Sequence, residues 1–202
     1  MLKFSAELFG TLFLTLAVGL SGNPVAAGLI LAALIYLFSD ISGSHFNPAI
    51  SLAAWVSGKI SLDQLLLHLA AQLTGAVFGA FLVWQLSGIT HVASPSPSTG
   101  TYEFIVVEFL FSFLFVLIFL FMVYPGEKRR NPIFGLMIGL TFYGSYIIAE
   151  PISGTGLNPA FTSAFVLADF LNNGFSYYYL PIYILAPLLG GLVASFVYKK
   201  MV

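Results

Sequence analysis

Apolar residues in this chain come in long unbroken runs, without the short-period alternation of half-buried strands. Runs long enough to cross a bilayer as helices cover roughly 4–21, 25–41, 62–87, 103–124, 132–149 and 179–198, near or above the ~20 residues that a helical span needs. Two further apolar segments, Pro48 to Ser57 and Pro159 to Ala168, are too short. As helices they reach about 15 Å, half of a ~30 Å hydrocarbon core. Such a segment either enters and leaves the bilayer on one face or lies on its surface. The pattern predicts an all-α membrane protein with six transmembrane helices and two re-entrant half-helices.

Composition agrees with that pattern. Of 202 residues 59% are hydrophobic and 7% charged, against about 25% charged in a soluble domain. The first run follows Lys3 as a signal peptide would, but Glu7 interrupts it and further spans follow, so it reads as a retained helix. Six spans leave only about 80 residues, so residues 1–202 read as a single transmembrane domain. The net charge of −1, with no basic run beyond Lys128, Arg129 and Arg130, gives no sign of a nucleic-acid partner. The chain has no cysteine, which excludes disulfides and thiolate metal sites.

Six crossings put both ends of the chain on one side. Lys3, Lys59, Lys128, Arg129, Arg130, Lys199 and Lys200 all fall on that side, at the two ends and in the second and fourth connections. The opposite connections, around Ser21 to Pro24, Gly88 to Tyr102 and Asp169 to Tyr178, contain neither Lys nor Arg. By the positive-inside rule both termini are expected to be cytoplasmic.

The chain repeats itself. At an offset of 111, ISGSHFNPAIS (Ile41 to Ser51) aligns with ISGTGLNPAFT (Ile152 to Thr162). Upstream, Ala6-Glu7 with Thr11 parallels Val107-Glu108 with Ser112, and Asn23-Pro24 parallels Asn131-Pro132. Repeat one occupies about 1–92 and repeat two about 101–202, joined by a Pro/Ser linker at 93–100. Three crossings per half invert one repeat relative to the other, the arrangement in which broken helices meet at the midplane.

Asn followed by Pro is helix-start grammar: the Asn side chain caps, and Pro at the first helical position loses no needed hydrogen bond. At Asn47-Pro48-Ala49 and Asn158-Pro159-Ala160 the helices would begin near the bilayer centre. A capping Asn there keeps its NH2 as a fixed donor directed into a cavity. The non-helical carbonyls of Gly43, Ser44 and His45, and of Gly154 to Gly156, would line the approach, since such backbone is tolerated at this depth only against protein or water. Two facing positive helix ends orient a water oxygen inward and repel cations. Glu7 and Glu108, one per half, are expected to brace the re-entrant loops by hydrogen bonding and not to relay protons. His45, opposite Gly156 in the repeat, reads as pore-lining or gating. Asp40 reads as solvated, and His68 and His91 as structural or exposed. The Gly75-to-Gly79 spacing and Gly190-Gly191 read as helix contacts.

These residues resemble the aquaporin and aquaglyceroporin (major intrinsic protein) family over essentially the whole chain. The marks are SGSHFNPA and GTGLNPA, the Ala6-Glu7 start, Ala71-Gln72 with Gly75-Ala76 in the third span, and APLLGG (Ala186 to Gly191) in the sixth. The resemblance implies the aquaporin fold, a homotetramer with a separate pore through each protomer, passive bidirectional flow, no cofactor and no catalytic activity. It places a selectivity constriction at four positions, here Ala27, Tyr146, Thr155 and Phe161. At the last of these the family nearly always has Arg. Water-selective members resemble a Phe/His/small/Arg set and glycerol channels a Trp/Gly/aromatic/Arg set, and this chain matches neither.

Losing Arg removes five donors and a fixed positive charge. The expected constriction is therefore more apolar, passing water and small uncharged solutes of the glycerol or metalloid-hydroxide kind while excluding ions. The same fold leaves two rivals open: a non-conducting structural or adhesive protein, with Phe161 as a plug, and a secondary transporter built on inverted repeats. An inner, cytoplasmic-type membrane fits the short connections.

Overall fold

The computed structural model describes residues 1–126, 131–154 and 156–202. In chain order its helices are α1 (Leu2–Ser21), α2 (Pro24–Ser42), α3 (Pro48–Val56), α4 (Leu62–Ser87), α5 (Thr101–Val123), α6 (Phe134–Ser153), α7 (Pro159–Leu171) and α8 (Leu180–Met201), the last preceded by a 3₁₀ turn at Ser176–Tyr179. Six of them are long and apolar enough to cross a membrane. The short ones, α3 with nine residues and α7 with thirteen, are the two segments that the sequence marks as half-helices.

Local chemistry sets most boundaries. Asn23, Asn47 and Asn158 stand in extended backbone, and each accepts from the N–H two residues on, with Pro in the first turn. A Ser61/Gln64 capping box opens α4, satisfying two otherwise orphaned groups. Asn131 differs: its Oδ1 accepts from Ile133 N at 3.0 Å, but helical geometry begins only at Phe134. At the other end α6 runs past the expected residue 149 to Ser153, with Pro151 inside its last turns.

Packing repeats with the sequence. The α1–α4 pair in the first half matches the α5–α8 pair in the second, and α2 meets α6 across the seam. Each half-helix also reaches into the other half, α3 against α8 and α7 against α4, and α3 touches α7. Glycine permits the closest approaches. A Cβ at Gly75 would strike the Leu8 carbonyl, and one at Gly190 would lie 2.6 Å from the Phe109 carbonyl. The segment 93–100 is not a free tether. Ser96 N and Thr99 Oγ1 donate to the Ile152 carbonyl at 3.1 and 3.0 Å, and the Ser94 carbonyl occupies the space a Cβ on Gly154 would need.

Candidate functional site

The two Asn-Pro-Ala turns meet. Asn47 Oδ1 accepts from Ala49 N at 2.8 Å while its Nδ2 donates to the Leu157 carbonyl at 2.8 Å. Asn158 does the same in reverse, its Oδ1 accepting from Ala160 N at 3.0 Å and its Nδ2 donating to the Phe46 carbonyl at 2.8 Å. Each side chain thus caps its own half-helix and ties down the residue preceding the other asparagine. This refines the sequence reading, in which the whole NH2 faces a cavity: one hydrogen of each amide is engaged across the repeat, leaving the second as the available donor. Both asparagines are buried, as are Pro48, Ala49, Pro159 and Ala160.

Forming that junction bends the backbone out of its comfortable regions. Phe46 and Leu157, equivalent in the repeat, have φ of 49° and 66°, and Ser44 has 56°. A bulky side chain in the left-handed region costs on the order of 1–3 kcal/mol and persists only where its surroundings hold it.

Glu7 does the holding in the first half. Its Oε1 accepts from Ser42 Oγ at 2.7 Å and His45 N at 2.9 Å, and its Oε2 from Phe46 N and Gln72 Nε2, both at 2.8 Å. Glu108 is less fully used. Its Oε2 accepts from Leu157 N at 2.8 Å, whereas its Oε1 is buried with no partner among the described residues. The repeat also explains Gly156: a Cβ there would collide with the Glu108 carboxylate.

His45 is buried, and its ring joins three elements. Nδ1 lies 3.0 Å from Ser51 Oγ of α3 and 3.2 Å from His68 Nδ1 of α4, and Nε2 lies 2.8 Å from the Tyr124 hydroxyl at the end of α5. Sequence reasoning missed His68, Ser51, Gln72 and Tyr124 as parts of this network. One signal was available: His68 and Gln72, one helical turn apart, are the polar residues of the otherwise apolar stretch 65–73. His91, read as structural or exposed, is half-buried and takes the structural part. Its ring packs 4.5 Å from that of Phe165, and burial holds its imidazole below the usual pKa.

Of the four expected constriction residues, Ala27 on α2, Tyr146 on α6 and Phe161 on α7 fall in one buried apolar cluster. The Tyr146 ring lies 5.8 Å from Phe142, and the Phe161 ring 6.0 Å from Phe165. Thr155 lies outside the described residues, as do Lys128, Arg129 and Arg130. Gly43 and Ser44 join α2 to the first Asn turn, and Gly154 and Gly156 flank the second.

Comparison with known proteins accounts for this geometry. The family model described as major intrinsic protein matches residues 3–198. The chain belongs to the major intrinsic protein family. Aquaporin AqpM of Methanothermobacter marburgensis is 32% identical over 185 residues, covering 88% of this chain and 75% of that protein. Aquaporin Z of Rhodopseudomonas palustris is 26% identical over 98% of this chain and 92% of its own length. The X-ray structure of the aquaglyceroporin from Plasmodium falciparum superposes with a TM-score of 0.86 at 24% identity, covering 98% of this chain and 95% of that one, which establishes the common fold. As a family member the protein is an integral multi-pass membrane channel for water and small solutes.

Proposed function

We propose that this channel conducts water and small uncharged solutes passively through a pore centred on Asn47 and Asn158, and excludes ions. The reciprocal Asn47–Leu157 and Asn158–Phe46 bonds carry this reading. They fix two helix N-termini against each other, so positive dipole ends and the remaining amide hydrogens converge on one point. A solute passing there accepts from the amides and donates to the carbonyls of Gly43 to His45 and of Gly154 and Gly156. Cations meet the positive helix ends without charge compensation.

The constriction beyond the Asn pair is walled by Ala27, Tyr146 and Phe161. With Phe161 in place of a guanidinium it offers fewer donors and less electrostatic rejection, and it favours neutral solutes larger or less polar than water, including glycerol-like polyols and metalloid hydroxides. Glu7 and Glu108 brace the two loops. The protein assembles as a homotetramer in the cell's inner membrane, with both termini in the cytoplasm.

Stopped-flow permeability of proteoliposomes to water, glycerol, urea and arsenous acid tests this. Flux above protein-free vesicles is expected for water and at least one larger solute, without ion conductance. Phe161→Arg is expected to lower the ratio of larger-solute to water permeability by about tenfold, since each 1.4 kcal/mol of changed barrier is a factor of ten. Uptake against a concentration gradient would establish the transporter reading instead. An osmotic response equal to that of empty vesicles would establish the non-conducting one.

A further inference from the structure

The two re-entrant loops are equivalent in the repeat but are held differently. In the first, Glu7 gathers four donors. In the second, Glu108 reaches the Leu157 N–H, and its other oxygen has no partner among the described residues. Gly75 meets Leu8 as Gly190 meets Phe109, and matching these two contacts puts Pro187 where the first half has Gln72. Gln72 is one of the four donors to Glu7, whereas proline has nothing to donate. Other groups hold the second loop, and they come from α8 and from the 93–100 segment.

These groups bind the last carbonyls of α6, which a helix end leaves without intrahelical partners. The Ile152 carbonyl accepts from Ser96 N at 3.1 Å and from Thr99 Oγ1 at 3.0 Å. The next carbonyl, that of Ser153, accepts from the Tyr183 hydroxyl. Tyr183 is fully buried on α8, its ring edge-on to Phe104 of α5 with 4.7 Å between centroids, so the hydroxyl has little freedom to swing away. The same matching of halves makes Tyr183 the counterpart of His68. In each half, then, the second helix of the packed pair sends a ring to the re-entrant loop: His68 to the His45 side chain, Tyr183 to the backbone. Directly after the Ser153 carbonyl, Gly154 has φ 86° and ψ −58°, close to the γ-turn of positive φ, a rare and strained conformation. Strain of that kind persists only where the surroundings hold it.

We infer that Tyr183, with Thr99 beside it, positions the second re-entrant loop and thereby sets how sharply the pore discriminates solutes by size. Tyr183 is a positioning residue: it acts on the pore only through the Ser153–Gly154 peptide, which leads into the carbonyls of Gly154 and Gly156 and on to Asn158. With the Ser153 carbonyl released, Gly154 is free to leave its strained turn and the wall it forms becomes compliant. Solutes larger than water then gain most, because a fixed wall obstructs them most. The inference rests on the channel reading above, and its test separates the two.

Tyr183→Phe removes the hydroxyl and keeps the ring against Phe104. Tyr198→Phe is the control, because its hydroxyl also donates to a backbone carbonyl, that of Tyr124, from the other end of α8. Both variants lose one such hydrogen bond. In proteoliposomes the glycerol-to-water permeability ratio is expected to rise about threefold or more in Tyr183→Phe, the worth of one net hydrogen bond carried into a rate, and to keep its wild-type value in Tyr198→Phe. Thr99→Val, at a half-buried position, is expected to raise the ratio less, because Ser96 N still holds the Ile152 carbonyl. A ratio unchanged in Tyr183→Phe, or raised equally by Tyr198→Phe, overturns the inference. Hydrogen exchange of the detergent-solubilised protein gives a readout independent of flux. The peptide containing Gly156 and Leu157 is expected to exchange faster in Tyr183→Phe than in the wild type or Tyr198→Phe, and equal exchange in all three overturns the positioning role. If Tyr183→Phe does not fold, Thr99→Val carries both readouts, and no change in either is equally fatal. Wild-type vesicles without flux for any solute, together with faster exchange in Tyr183→Phe alone, would count against the channel reading and leave the positioning role standing.

Discussion

At Glu7 one carboxylate satisfies two backbone N–H groups, a hydroxyl and an amide, whereas Glu108 in the equivalent place satisfies one backbone N–H, with its other oxygen unpartnered among the described residues. Replacing either with Gln turns one oxygen into an NH2. At Glu7 that group must face a donor whichever way the amide is turned, since both oxygens already accept two bonds. At Glu108 the NH2 can take the side of the unpartnered oxygen. Glu7→Gln is therefore expected to destabilise the protein by about 1–3 kcal/mol, the cost of leaving buried donors unsatisfied, and Glu108→Gln by less. Thermal unfolding of the two variants in detergent checks the order, and equal midpoints would contradict it. The repeat made both carboxylates legible in the sequence as loop supports, because each precedes a matched Asn turn. Their inequality was not legible, since it depends on Gln72 standing where the second half has Pro187, a pairing that only the packed helices expose. His68 escaped for a related reason: a lone His on an apolar span looks the same whether it faces lipid, core or a second imidazole.

Among the elements, the half-helices were the most legible, because length alone excludes them as spans and nine or thirteen residues at 1.5 Å each cannot cross the bilayer. Boundaries were less so. The apolar run expected to end at residue 149 continues as helix to Ser153, because a proline in the last turns leaves most of the ladder intact. The Pro/Ser composition of 93–100 suggested a free linker, while its hydrogen bonds to Ile152 dock it over the second loop. Composition reports what a segment can do alone, and docking is decided by what the rest of the fold presents to it. Close helix contacts follow the small residues more faithfully. Gly75 lets α4 approach the Leu8 carbonyl of α1, and Gly190 does the same for α8 against Phe109 of α5. Gly75→Leu is expected to force α1 and α4 apart at a cost of about 1–3 kcal/mol or more, as for other overpacked contacts. The same change at Gly144, where a Cβ meets nothing within 4 Å, is expected to be tolerated. Monodisperse yield after size-exclusion chromatography distinguishes them, and comparable recovery of both variants would show that the α1–α4 contact has slack.

For the whole molecule, the segregation of basic residues carries the argument for orientation, and the structure adds physical ties at the Lys-bearing end. Lys199 Nζ donates to the Val56 carbonyl at 3.4 Å, and Lys59 Nζ lies 5.3 Å from the centre of the Tyr198 ring, so the end of α8 meets the α3–α4 connection. That meeting requires α3 to re-enter and leave on the face it came from. If α3 crossed instead, the start of α4 would lie on the opposite side from the end of α8. The absence of cysteine from the chain makes sidedness directly measurable, because any single introduced thiol is the sole target of a maleimide. Asp63 at the start of α4 and Ser98 in the connection after it are both exposed and sit beyond opposite ends of that helix. On the proposed orientation, with both termini inside, a membrane-impermeant maleimide added to intact cells is expected to label Ser98→Cys and to reach Asp63→Cys only after permeabilisation. Labelling of Asp63→Cys in intact cells with Ser98→Cys protected would invert the molecule. Labelling of both from one side would show that α4 does not span, and would remove the basis for the two half-helices meeting at mid-membrane.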